Sequence, residues 1–367
     1  MSAVAESFSL ARQRAFPVGR MFLSVPFDYL AIGGGLSLVT VGVLGWTGYL
    51  QPSGEMRLPM GILFLLLNAA HFAASTVRLY TKPGAFRFWP LLTMGVPLVA
   101  IAALTAGVLL PEHVGRNLFV LYLTWSPFHY AAQAFGLACM YHYRSGGTLD
   151  AVERRLVYWT CMLPFLHNFV GGSTTGLGWF APPAVMLQYP SLQLLIIRLT
   201  SVFEILTFVA PLIVGARLLL RGRQGLPLIS WLIIFTNGIW WITLTYLQAF
   251  VWATVFHGLQ YLAIVTIFHV KEQTALPDNR HSPRYHALWF YGACVVLAYL
   301  LFQVWPYAYV FAGSGMAEAV LTSVAVINIH HFVVDRYIWR LRKDPNYEIV
   351  VASSAPASSA PSTPQAA

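Results

Sequence analysis

The chain has 367 residues, of which 57% are apolar and only 10% are charged, and its mean hydropathy is +0.64. A soluble domain carries about 25% charged residues, so this composition excludes an ordinary soluble domain. It predicts an all-α, polytopic transmembrane bundle, because a helix satisfies its own backbone polar groups in lipid. The net charge of +9 comes from basic residues at the ends of apolar segments, so no nucleic-acid partner is predicted.

About ten apolar segments are long enough to cross a hydrocarbon core about 30 Å thick. The predicted spans are 28–50, 58–80, 88–110, 117–142, 155–170, 191–219, 226–246, 249–270, 286–305 and 316–340. The transmembrane bundle therefore occupies residues 28–343 and follows an N-terminal segment, 1–27. The Ala/Ser/Pro-rich tail, 344–367, has a low-complexity composition that predicts disorder.

The basic residues indicate an orientation for these spans. Of 22 Lys and Arg residues, only Arg57 and Arg116 fall in loops that would face outside, and Arg198 falls within a span. All others lie in segments that would face inside, as the positive-inside rule requires. The distribution predicts that both termini are cytoplasmic and that the protein is a multi-pass protein of a bacterial-type inner membrane.

Polar side chains within the spans concentrate on the five even-numbered segments. Ionisable groups inside a membrane are costly and commonly mark functional sites. At about 1.5 Å per residue, each of these segments carries a polar group near the middle or inner half of the membrane. The group comprises Asn68, His71, His129, Gln133, Arg198, Glu204, His257, Gln260, Asn328, His330, His331 and Asp335.

Three of these segments share a short pattern, in which a histidine and an aromatic residue are followed by a polar residue four positions after the histidine. The pairs are His71 with Ser75, His129 with Gln133, and His331 with Asp335. Residues four apart lie on one helix face. The pattern predicts that the polar residue hydrogen-bonds the imidazole or joins it as a metal ligand.

A set of neutral imidazoles and carboxylates favours iron, and also suits zinc, manganese or copper. We expect Asn328 and Gln133 to support the ligands, and a common site requires four of the histidines to converge within about 10 Å. Iron would act on a lipid-soluble substrate as an oxidoreductase or oxygenase, with a separate redox protein or a quinone as the electron source. The predicted ligands are His71, His129, His257, His330, His331, Asp335 and Glu204.

Other functions also fit the sequence, which does not identify catalytic residues. A single haem between His129 and His257 is compatible with their spacing. Midplane histidines and acids also occur in transporters and proton relays. Polar groups that only join helices would indicate a structural or assembly subunit without catalysis.

The C-terminal run NIHHFVVDRYIWRLR, at 328–342, resembles the end of a group of bacterial multi-pass membrane proteins. Segments of those proteins are also similar to NAAHFAASTVRLY and WSPFHYAAQAFG in this chain. The resemblance implies a multi-pass membrane protein and no particular activity. The adjacent His330 and His331 are loosely similar to the histidine boxes of membrane di-iron desaturases and hydroxylases, although Ile327 stands where an HxxHH box has histidine.

Overall fold

The computed structural model describes residues 17–48, 60–82, 84–181, 183–244 and 246–339. Every regular element within these ranges is a helix. Residues 1–16 of the predicted N-terminal segment and the whole predicted tail, 344–367, lie outside the described residues. Arg57 and the basic residues after Trp339 also lie outside them.

Ten principal helical segments follow one another in the described part of the chain, in the order in which the sequence predicts them. They are α1 (Val25–Ile32 and Gly35–Trp46), α2 (Gly61–Thr81), α3 (Leu91–Leu109), α4 (Arg116–Arg144), α5 (Ala151–Gly171), α6 (Pro190–Leu220), α7 (Leu228–Thr243), α8 (Tyr246–Thr274), α9 (Pro283–Phe311) and α10 (Met316–Ile338). Short helices at Ala85–Phe88, Leu177–Phe180 and Pro183–Met186 lie in the connections.

Six of these helices are long and apolar enough to cross a membrane: α2, α3, α6, α8, α9 and α10. The two halves of α1 would add a seventh span, while α7 is apolar but shorter. Helices α4 and α5 have sufficient length but not sufficient hydropathy, as suits helices with polar side chains facing protein rather than lipid. The protein is therefore an all-helical membrane protein, and the count of ten spans and the sides of its termini remain predictions.

The helices differ greatly in how much of their surface lies inside the protein. In the most apolar stretch of α8, 67% of the residues are buried, and the value for α2 is 61%. The corresponding value is only 17% for both α6 and α9. Helices α2 and α8 therefore belong to the interior of the bundle, and α6 and α9 present most of their surface to the outside.

The first helix bends by 57° at the run Gly33–Gly35. Gly34 has a φ of +89°, and a Cβ atom there would overlap the side chain of Thr236 on α7. Only glycine combines this backbone conformation with so close an approach. The glycine run therefore both breaks α1 and allows it to pack on α7.

Asp28 joins the chain before α1 to the bundle. Its carboxylate accepts hydrogen bonds from the backbone N–H groups of Phe22, Leu23 and Ser24, at 2.5, 3.1 and 3.2 Å. It also accepts one from the Tyr141 hydroxyl of α4, at 2.9 Å. These four donors compensate for the complete burial of the carboxylate, so Asp28 has a structural role that the sequence pattern did not indicate.

Candidate metal site

Four histidine rings from four helices meet in the middle of the bundle. They are His71 of α2, His129 of α4, His257 of α8 and His331 of α10, here called the histidine square. Each ring contacts two others edge to face. The ring centroids are 5.0 Å apart for His71 and His331, 5.0 Å for His331 and His129, 4.9 Å for His129 and His257, and 5.0 Å for His257 and His71.

The square is buried, and several of its nitrogen atoms lack hydrogen-bond partners. His71 and His331 are fully buried, and His257 and His129 are only 4% and 7% exposed. Within the described ranges, neither ring nitrogen of His71 has a hydrogen-bond partner, and neither does Nε2 of His257. Buried polar atoms are nearly always paired, and an ion is one of the explanations when they are not.

The hydrogen bonds of His331 define which of its nitrogens faces the square. The Ser75 hydroxyl donates to the backbone carbonyl of Phe72, 3.1 Å away. With its one hydroxyl hydrogen in that bond, Ser75 is assigned as the acceptor from Nδ1–H of His331, 2.9 Å away. Nε2 of His331 then carries a lone pair, and it lies 3.2 Å from Nε2 of His129.

Asp335 lies one helical turn after His331 and adds a carboxylate to one side of the square. Its Oδ1 atom accepts hydrogen bonds from the Tyr261 hydroxyl, at 2.6 Å, and from the Trp339 indole, at 2.8 Å. Its Oδ2 atom lies 3.9 Å from Nε2 of His129. The two donors therefore orient the carboxylate so that the other oxygen is directed towards the histidines.

A close approach of α2 and α8 brings His71 and His257 together. Gly258 follows His257, and a Cβ atom there would lie 2.8 Å from the Leu67 carbonyl oxygen and 3.0 Å from Nδ1 of His71. The approaching part of α2, Phe64–Ala69, has wider π-helical turns, which are common near functional sites. The missing side chain at Gly258 therefore creates the space that the histidine square needs.

The donor atoms fit a metal site in number, and one pair of nitrogens also fits it in spacing, whereas the 3.9 Å between Oδ2 of Asp335 and Nε2 of His129 is wider. The ligand atoms of His71, His257 and His331 all lie within 4.8 Å of one another, and so do those of His129, His331 and Asp335. Two nitrogens bound to one ion at about 2.1 Å lie roughly 3.0–3.4 Å apart. The 3.2 Å between His129 and His331 falls in this range.

Two predicted ligands do not join the square. Glu204 lies exposed on α6, which is one of the outer helices, so this carboxylate faces away from the bundle interior. His330 does not face the square, because consecutive residues lie about 100° apart around a helix. It lines a separate cavity between α10 and the helices α2, α3 and α9. The prediction that Glu204 and His330 belong to the same site as the other five residues is therefore not supported by their placement.

The expected pairing of residues four apart on one helix is wrong for His71 and His129, whereas the ligand atoms of His331 and Asp335 do lie in one group. Ser75 bonds His331 of α10 rather than His71. Gln133 donates to the backbone carbonyl of His257, at 3.3 Å, rather than to His129. Asn328 donates to Val324 in its own helix, at 2.6 Å. The bundle supplies each imidazole with neighbours from other helices, which a pattern along one helix does not reveal.

Sequence reasoning missed the two donors that hold Asp335. Tyr261 lies four residues after His257, and Trp339 lies four residues after Asp335. The same four-residue spacing would have found both, had it been extended to aromatic residues with a polar atom. An ion pair between buried Arg78 and partly exposed Glu272, at 2.7 Å, lies beside them, and the Arg78 guanidinium lies 5.1 Å from the Trp339 ring centroid.

A cavity of about 400 Å³ adjoins one side of the square. His129 and Asp335 line it, whereas His71 and His257 do not. Its other walls are mainly aromatic and aliphatic, with Arg336 as a charged residue on the lining. Ligand pockets of about 300–1,000 Å³ have this character, so the carboxylate side of the square faces a space suited to an apolar molecule.

A haem between His129 and His257 does not fit this geometry. Two axial imidazoles on one haem iron have ring centroids about 6.4 Å apart, given nitrogen–metal distances of about 2.0 Å. The observed separation is 4.9 Å. The rings of His71 and His331 also flank the pair, where the porphyrin would have to pass.

Comparison of the chain with protein-family models, with curated proteins and with solved structures finds no match.

Proposed function

We propose that the protein is an integral membrane metalloprotein, and that it acts as an oxidoreductase or oxygenase on a lipid-soluble substrate. The observation that carries this proposal is the convergence of four histidines and one carboxylate beside an apolar cavity. Iron is the proposed metal, because two histidines and one carboxylate form the ligand set of many non-haem iron oxygenases. Bound iron would supply oxygen activation or electron transfer.

The residues around the square and the cavity would have separate roles. His129, His331 and Asp335 would hold one ion next to the cavity, and His71 and His257, whose ligand atoms also lie near those of His331, would complete the ligand set of the same ion. Tyr261 and Trp339 would fix the orientation of the carboxylate. The aromatic walls of the cavity would hold an apolar substrate and exclude water from the site.

The membrane setting supports a lipid-soluble substrate. Three of the four helices of the site, α2, α8 and α10, are apolar enough to span a bilayer, where lipid-dissolved molecules arrive by lateral diffusion. The ten-span topology with both termini in the cytoplasm, and the location in an inner membrane, form part of this proposal. A redox protein or a quinone would supply electrons.

Metal analysis of the detergent-purified protein, combined with an optical spectrum, tests the metal site. We expect one iron ion per chain and no Soret band. Alanine substitutions of His71, His129, His257 and His331 should each lower the metal content. His142→Ala on α4 and His269→Ala on α8 are matched controls, because both residues are buried histidines on site helices but lie outside the square. No stoichiometric metal, or equal losses in the controls, would contradict the proposal.

A second experiment tests the cavity separately from the metal. Gly136 of α4 lines the cavity, and a Cβ atom there has no neighbour within 4 Å. Gly136→Phe should fill the space, retain the metal and reduce the amount of co-purifying lipid-soluble compound detected by mass spectrometry. Gly292→Phe is the matched control, since Gly292 is equally open but lies on α9. Unchanged co-purification in Gly136→Phe would refute a substrate site in this cavity.

Transport without metal remains the competing function, because a contact between two imidazoles also suits a proton relay. The 3.2 Å between the Nε2 atoms of His129 and His331 is within hydrogen-bond distance. A metal-free protein whose His129→Gln variant loses proton-coupled uptake in vesicles would favour this function. A structural subunit would show neither metal nor uptake.

A further inference from the structure

A second cavity, of about 220 Å³, lies on another side of α10, is bordered by α2, α3 and α9, and is partly open to the outside of the bundle. His330 lines this cavity, and His331, the next residue, belongs to the histidine square. The other walls are largely apolar and include Leu104, Leu301 and Trp305. Helix α10 therefore separates two cavities and presents one histidine of its HH pair in each direction.

Two polar side chains that line this cavity, those of His330 and Thr76, make no hydrogen bond to any residue that the structure describes. Tyr80 also lines the cavity, but its hydroxyl already donates to the backbone carbonyl of Thr93, at 2.5 Å. Across the residues that the structure describes, no hydrogen bond involves the His330 ring. A neutral imidazole offers one donor and one acceptor, and a polar group left unpaired in apolar surroundings costs free energy.

The size and lining of the cavity restrict the ligand. A cavity of about 150 Å³ is enough to bind benzene, so 220 Å³ accommodates a substituted six-membered ring. Trp305 provides an aromatic wall, and aromatic rings pack favourably on one another. A lipid acyl chain would fill the apolar space but would leave the imidazole without a partner.

We propose that this cavity binds the ring of a lipid-soluble quinone or quinol. The imidazole of His330 would donate to a quinone carbonyl or accept from a quinol hydroxyl, while Leu301 and Trp305 would contact the ring. An isoprenoid or alkyl tail would extend into the surrounding lipid. The quinone site involves no residue of the histidine square, so it can be tested independently of the metal site.

Binding of decylubiquinone to the full-length protein in detergent tests the proposal by equilibrium dialysis. His330→Leu should weaken binding about tenfold, the effect of losing roughly one hydrogen bond in apolar surroundings. His330→Gln should restore much of the affinity, because glutamine can still donate a hydrogen bond. Leu301→Trp should abolish binding by filling the cavity.

Controls separate the ring site from general lipid binding. Decanol, which has a tail of the same length but no ring, should fail to displace the quinone. The His330→Leu variant should keep the metal content of the unmodified protein, so the outcome is distinct from a failure of the metal proposal. Equal quinone affinity in His330→Leu and the unmodified protein, or displacement by decanol, would overturn the quinone site.

Discussion

Substitution of Ser75 by alanine tests the inferred geometry of the site without removing any proposed ligand. The Ser75 hydroxyl is the partner of Nδ1 of His331, at 2.9 Å, and it fixes the tautomer that leaves Nε2 free to bind metal. In Ser75→Ala the Nδ1–H group is left buried and unpaired, and either tautomer of His331 becomes accessible. The metal affinity should therefore fall although all four histidines remain.

Two independent estimates give a similar free-energy cost for Ser75→Ala. Loss of a hydrogen-bonded partner behind a ligating histidine typically lowers metal affinity about 10–100-fold, which is about 1.4–2.7 kcal/mol. Leaving a buried donor unsatisfied costs about 1–3 kcal/mol. Ser75 is completely buried, so water does not replace the missing hydroxyl.

The assay is competition for iron between the purified protein and a chelator of known affinity. Ser230→Ala is the matched control, because Ser230 is also a buried serine that donates to a backbone carbonyl, that of Ala138 at 2.8 Å, but it lies on α7. We expect the control to bind iron like the unmodified protein. Equal iron affinity in Ser75→Ala and in the control would show that Ser75 does not determine the tautomer of His331.

Three further substitutions probe other parts of the structure. Gly258→Ala should destabilise the protein by about 1–3 kcal/mol and lower its metal content, because the new Cβ atom would press against Nδ1 of His71. Thermal unfolding measures the loss of stability, and metal analysis measures the loss of metal. Tyr261→Phe should lower metal affinity about 10–100-fold, as measured by chelator competition, because it removes a donor to Asp335. Asp28→Ala should lower the unfolding temperature in detergent through a loss of about 1–3 kcal/mol for each buried donor left unpaired, such as the Phe22 N–H, with the metal content retained.

Each of these substitutions has a control that changes the same residue type elsewhere. Gly292→Ala adds a Cβ atom in open space on α9, and Tyr246→Phe removes a hydroxyl that donates to the Leu123 carbonyl, away from Asp335. Asp278→Ala removes an exposed carboxylate from a loop. Effects as large in these controls as in the test variants would show that the assigned contacts are not the cause.

The sequence by itself determined the class of the fold and the positions of its helices along the chain. Hydropathy depends on local composition, and a stretch such as α3 is apolar whatever it packs against. The sequence also placed His71, His129, His257, His331 and Asp335 at similar depth, because depth follows from the number of residues along a helix.

Only the tertiary structure decided which of these groups share a site. The depth of a residue in the membrane does not specify the direction in which its side chain points. In the sequence, Glu204 and His331 are both polar residues within apolar segments, and only the position of α6 on the outside of the bundle distinguishes them. The bond between Ser75 and His331 joins residues 256 positions apart, so no local pattern predicts it. The close approach at Gly258 likewise depends on two helices meeting, which only their packing establishes.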